Sequence, residues 1–130
     1  MTQMKDRIFS GAPAEDFAGF AKAVIDGPVI HVSGTLGPDP DSGAFPDSVE
    51  AQLENAIASV AATLEQAGAS LVDVKTLRVY ITEAGFLKGV AGVLKAHFDA
   101  IRPTNTLLVC QLPAPGAKIE IEVSASRRVG

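Results

Sequence analysis

Arg102-Pro103-Thr104-Asn105-Thr106-Leu107-Leu108-Val109-Cys110, followed by Leu112-Pro113 and Lys118-Ile119-Glu120-Ile121-Glu122-Val123, decides how this chain is read. The two runs predict two strands. The first is nearly all apolar and opens on small polar residues. The second alternates strictly, with Lys118, Glu120, Glu122 and Ser124 on one face and Ile119, Ile121 and Val123 on the other. Pro103 also marks the end of whatever precedes it, because a proline inside a helix removes a hydrogen bond and clashes with the preceding turn.

Working back from Pro103, Val90, Val93, Leu94 and Phe98 form, with Phe86, one apolar helical face, so a helix is expected from a Thr82 cap to about Ala100. Val74 to Thr82 alternates, with Leu77, Val79 and Ile81 opposite Thr76, Arg78 and Tyr80, which predicts a strand. Val49, Leu53, Ile57, Val60 and Leu64 mark a second helix. Asp47 and Glu50 read as its capping box and Gly68 as its stop. Residues 34–46 carry three glycines and three prolines and predict a loop. Asp26-Gly27 joins two short apolar runs, so a hairpin is expected over Ala21–Ile25 and Val29–Ser33. Residues 1–20 are mixed, with Gly11, Pro13 and Gly19 breaking any regular pattern.

The expected order is strand, strand, helix, strand, helix, strand, strand: an α+β fold in one domain, residues 1–130. Two helices can cover only one face of such a sheet. Oligomerisation is the expected cover for the other, since an open sheet bearing Leu107 and Val109 invites aggregation.

Bulk properties narrow the function. The chain has 130 residues, 47% hydrophobic and 20% charged, with a net charge of −4. An acidic balance disfavours general nucleic-acid binding, which needs a clustered positive field. Near the end only Lys118, Arg127 and Arg128 supply basic charge, and a solvated tail is the expected reading. One cysteine and two histidines make no internal disulfide and a poor metal set. No secretory leader is expected in Met1 to Ser10, and no apolar run approaches the ~20 residues that span a bilayer. A cytoplasmic protein without a metal or membrane partner is expected.

The series Ile30-His31-Val32-Ser33-Gly34, Asp39-Pro40, Ser42-Gly43, Val49 to Asn55, Ala67 to Lys75, Phe98, Pro103, Leu112-Pro113 and Ile119 to Glu122 resembles the RidA or YjgF-type reactive-intermediate deaminases. The resemblance runs from about Phe20 to Arg128. It implies a chorismate-mutase-like fold assembled as a homotrimer, with clefts where subunits meet, no cofactor, and hydrolysis of short-lived enamines or imines such as 2-aminoacrylate. Carried over by position, it makes Glu120 the residue that positions the attacking water. It lines the cleft with Ser33 and Gly34, places Phe20 where the archetype has a tyrosine, and makes Thr104, Asn105 and Thr106 the substrate-binding stretch.

The archetypal arginine that grips a substrate carboxylate has no counterpart. Its place falls at Thr104 or Asn105, and neither can make a charged bidentate clamp. Losing such a clamp costs on the order of 100-fold in affinity for an anion. Asn105 suits a neutral or amide-bearing ligand, since it both donates and accepts. Arg102, before a proline, is expected extended and on the surface. The resemblance therefore carries two main readings, a small-molecule hydrolase and a non-catalytic metabolite binder; a ribonuclease or translation inhibitor is a third.

The other chemistry-bearing residues have structural explanations beside the functional ones. Glu120 and Glu122 stand about 6.8 Å apart along one strand face, which fits a solvated polar face as well as an acid–base pair. Cys110 in its apolar run reads as a small buried residue. His31 and His97 read as core or interface histidines. Gly85, Gly89 and Gly92 read as close helix packing. Tyr80 is either a cleft hydroxyl or a surface residue.

Overall fold

A computed structural model describes residues 5–127. Arg128, one of the basic residues singled out above, lies outside them. The elements are β1 (Arg7–Ile8), α1 (Pro13–Ala18), β2 (Ala23–Asp26), β3 (Val29–Leu36), α2 (Val49–Gln66), β4 (Val74–Ile81), α3 (Leu87–Phe98), β5 (Thr104–Val109) and β6 (Ile119–Ser126). Short 3₁₀ turns precede β4, at Leu71–Asp73, and α3, at Ala84–Phe86.

The six strands form one mixed sheet in the order β1-β2-β3-β6-β4-β5. Every neighbouring pair is antiparallel except β4 and β5, which are parallel and joined through α3. β6 therefore sits in the middle of the sheet and β5 at its edge. The alternation expected of β6 holds at every residue: Ile119, Ile121, Val123 and Ala125 are buried, and the residues between them are half-buried. Helix α2 packs on β3 and β6 and against α3. Ile30, Leu77, Val79, Ile81, Ile119 and Ile121 meet Leu53, Ile57, Val60 and Leu64 in one core. The helices cover one face of the sheet, as the pattern requires. The opposite face of the protomer carries His31, Thr76, Arg78, Tyr80, Glu122, Thr106 and Leu108. No helix among the described residues is long and apolar enough to cross a membrane.

Several boundaries differ from the sequence reading. The N-cap of α2 is Ser48, whose Oγ accepts from the Ala51 amide at 3.1 Å, rather than Asp47. Both types cap helices; here Lys118 Nζ donates to the Asp47 carbonyl and holds that residue outside the helix. Thr82 caps nothing: its amide and hydroxyl donate to the Lys118 carbonyl, and α3 starts five residues later. Helix α3 ends at Phe98, two residues before the expected Ala100. Arg102 closes it in a left-handed conformation, φ 56°, with its amide on the Phe98 carbonyl at 2.8 Å. The extended backbone expected before a proline yields to that cap.

β2 and β3 flank a Gly27-Pro28 turn as a hairpin, but β3 runs on to Leu36, three residues into the expected loop. The N-terminal segment holds β1 and α1. Pro13 and Gly19, expected to break any regular pattern, are instead the start and stop of α1, with Gly19 left-handed at φ 76°. Of the three helical glycines only Gly89 makes a close approach, where a Cβ would lie 2.5 Å from Glu50 of α2; Gly85 and Gly92 meet nothing.

Candidate functional site

The site grows from an irregularity in β3. Val32 pairs with Val123 of β6, and the next registered pair is Thr35 with Ile121. Three steps along β3 match two along β6, so Ser33 and Gly34 bulge opposite Glu122. A bulge re-aims side chains and bends the strand. Here it presents the bare Cα of Gly34 to Glu120. A Cβ on Gly34 would lie 2.9 Å from the Glu120 carboxyl carbon and 3.0 and 3.2 Å from its oxygens. The carboxylate therefore lies across the backbone of the bulge, and a methyl on Gly34 would displace it.

Ser33 ties the bulge to the segment before β2. Its amide donates to the Lys22 carbonyl at 2.9 Å and its hydroxyl to the Ala21 carbonyl at 2.6 Å. Lys22 then reaches back over β3, and its Nζ donates to Thr35 Oγ1 at 2.5 Å. On the far side of Glu120, Tyr80 of β4 pairs with it in register. The Tyr80 hydroxyl donates to Glu122 Oε1 at 3.2 Å, and Arg78 Nη1 stands 4.0 Å from the same oxygen. Tyr80 is thus a hydroxyl of the open face, half-buried beside Glu120.

The two glutamates have different surroundings. Tyr80 and Arg78 engage Glu122. Burial raises the pKa of Glu120, repulsion from Glu122 adds to this, and Lys22 partly offsets both; no hydrogen bond among the described residues counters the rise. A half-buried carboxyl with raised proton affinity is suited to taking and returning a proton.

Phe20 lies two residues before Lys22, 43% exposed, its amide on the Glu15 carbonyl at 3.0 Å. Thr104, Asn105 and Thr106 open β5 and are all exposed. Thr104 and Thr106 pair with Thr76 and Arg78, hence on the face of Glu120. Asn105 pairs with the core residue Leu77, hence on the opposite face. β5 is also two strands from β6, about 10 Å. One protomer therefore gathers Glu120, Ser33 and Gly34 but leaves Asn105 apart.

Arg102 is exposed and bound to Asp99, Nη2 to Oδ1 and Nε to the carbonyl, both at 2.7 Å. Cys110 is half-buried at the end of β5. His31 is exposed on the open face, and His97 pairs with Glu54 between the helices. No cluster of three metal-binding side chains occurs among the described residues. A polar recess lined by Gly68, Val72, Asp73, Lys75, Ser126 and Arg127 lies near the far end of β6, six residues and about 20 Å from Glu120. Its Asp73 caps Ser70 and its Arg127 binds the Gly27 and Ala67 carbonyls, so it adds nothing to the site.

Lys22 was not picked out from the sequence. The signal was present: within Ala21-Lys22-Ala23-Val24-Ile25 it alternates with Val24, a charge set into a short apolar run.

Residues 11–127 match the family described as endoribonuclease L-PSP. The chain is a member of this RidA/YjgF-type family. A Mycobacterium tuberculosis protein of the YjgF/YER057c/UK114 family superposes with a TM-score of 0.84 at 35% identity, covering 92% of this chain and 97% of that one. The E. coli protein TdcF, solved with bound serine, superposes at 0.79 with 26% identity, covering 98% of each chain. A goat protein named 2-iminobutanoate/2-iminopropanoate deaminase is 28% identical over 127 residues, 96% of this chain and 93% of its own. The mixed sheet, its helices and the bulge at Ser33-Gly34 thus belong to a RidA/YjgF-type protein.

Proposed function

We propose that this protein hydrolyses a small reactive enamine or imine, with Glu120 managing the water. The observation that carries the reading is the Glu120 carboxylate laid across Gly34 with its proton affinity raised. The goat relative's name, an imine deaminase, supports the same class. In the reaction an enamine such as 2-aminoacrylate takes a proton from solvent on its terminal carbon to become the iminium. Glu120 accepts a proton from water as the oxygen adds to the iminium carbon, which leaves a neutral carbinolamine. Glu120 returns that proton to nitrogen, and ammonia leaves as the hydroxyl releases its proton to solvent, replacing the one the terminal carbon took, with a carbonyl behind. Water is consumed, one ammonia and one 2-keto acid form, and no electrons change hands.

The site is completed by a second copy of the chain, in a homotrimer. Asn105 and Glu120 lie on opposite faces of one protomer, and Leu108 is 52% exposed on the face the helices leave open. Clefts between subunits bring the two faces together. The assay generates 2-aminoacrylate from serine with a pyridoxal-phosphate dehydratase and times pyruvate release. Acceleration by this protein is expected; an unchanged rate across imine and enamine substrates overturns the reading.

A second reading rests on Arg102, which is bound to Asp99 and leaves β5 without a cation. A non-catalytic metabolite binder would be stabilised thermally by a ligand that it does not convert.

A further inference from the structure

Lys22 has a place that neither packing nor ion pairing explains. It precedes β2, its carbonyl accepts from the Ser33 amide of the bulge, and β3 stands between it and Glu120 on β6. An ammonium has three protons to donate. Thr35 Oγ1 takes one, and that hydroxyl in turn donates to the Ser33 carbonyl at 2.9 Å. No described carboxylate comes within the 4.0 Å of an ion pair with Lys22.

Glu15, its buried neighbour, is satisfied elsewhere. The Ser10 hydroxyl donates to it at 2.5 Å, and the Ser10 and Gly11 amides at 3.0 to 3.3 Å. Lys22 is therefore not the counterion that makes Glu15 tolerable. Instead it feels two carboxylates at a distance, Glu15 on one side and Glu120 on the other. Burial lowers its pKa and both carboxylates pull it back toward the charged form. A half-buried ammonium with donors left over, held on Thr35 next to the glycine against which the Glu120 carboxylate lies, has the makings of an anion subsite.

We infer that Lys22 holds the anionic group of the substrate, supplying the charge that Thr104 and Asn105 cannot. The inference rests on the hydrolase reading for the identity of the ligand and adds to it the residue that meets the carboxylate of the imine. The imine carbon then lies between the ammonium and the water on Glu120. Thr35 and Ser33 fix the lysine head through two hydrogen bonds in series, so the cation is positioned before the ligand arrives. Electrostatic attraction to Lys22 also counters the repulsion an incoming carboxylate meets from Glu120 and Glu122.

The test uses stable product mimics on the whole protein. Binding of pyruvate and of its neutral analogue pyruvamide is measured by calorimetry at low salt, for wild type, Lys22→Met, Lys22→Gln and Lys22→Arg. The wild type is expected to prefer pyruvate by on the order of 10-fold. Lys22→Met and Lys22→Gln are expected to lose the preference and Lys22→Arg to keep most of it. A wild type without the preference overturns the inference with no variant needed, and so does a folded Lys22→Met or Lys22→Gln that retains it. Pyruvate release from 2-aminoacrylate is read on the same wild-type sample. Acceleration without anion preference removes the Lys22 assignment and leaves the hydrolase standing. Anion preference without acceleration removes the hydrolase and leaves Lys22 as an anion binder.

Discussion

Glu120 is ionised at a cost. Burial first, then Glu122, raise its pKa above the usual carboxylate value. A carboxyl whose pKa rises on folding stabilises the fold below its ordinary pKa, and that contribution is lost as pH climbs through the raised value. Near neutral pH the charged Glu120 thus opposes folding. Glu120→Gln is expected to raise Tm near pH 7 and to lose the advantage near pH 4, which calorimetric melts at the two pH values check. Gly34→Ala makes the complementary prediction. Its methyl would meet the Glu120 carboxyl at 2.9 Å. The overlap falls on the end of a flexible side chain, so the substitution is expected to cost less than about 1 kcal/mol in denaturant titrations and to depress turnover by displacing the carboxylate. Glu120 could be chosen from the sequence because a strict alternation and a family resemblance coincide on it. Lys22 could not: its meaning depends on a bulge, and a bulge leaves no periodic trace.

Among the elements, α2 does most to fix the loops around the site. Gln52 is fully buried on it. Its Nε2 donates to the carbonyls of Pro46 and Gly116 at 2.8 and 3.0 Å, and its Oε1 accepts from the Lys118 amide at 2.8 Å. One side chain thus joins the loop after β3 to the loop before β6, on which Glu120 depends. Gln52→Leu leaves these backbone groups without partners and is expected to cost about 1–3 kcal/mol for each left buried, read as a lowered midpoint in urea. Ser48→Ala, which removes only the cap, is expected to cost about 1 kcal/mol. The long elements were legible because each repeats its pattern: four apolar turns in α2, eight alternating residues in β6. β1 and α1 were not, since two and six residues are too short to show a period. The α2 cap was misplaced by one residue because Asp47 and Ser48 have equal local claims, and a contact from Lys118, 71 residues away, separates them.

On the scale of the whole molecule, two helices on one face of a sheet made the open face legible from element order alone. That face places Glu120 and Tyr80 near Leu108 of the edge strand, while Asn105 points the other way. Which residues meet across copies is not written in one chain's pattern, because no local signal says which faces approach. In the proposed trimer Leu108 is covered. Leu108→Glu is expected to shift the mass seen by light scattering from trimer toward monomer and to remove turnover with it; a monomeric wild type would contradict the assembly. The central claim is that Glu120 on its glycine shelf drives imine hydrolysis. It is tested most directly by timing pyruvate release from freshly generated 2-aminoacrylate with wild type and Glu120→Gln side by side. The account predicts acceleration by the wild type and a rate at the uncatalysed level with the variant, whose fold is intact. Equal acceleration by both would contradict it.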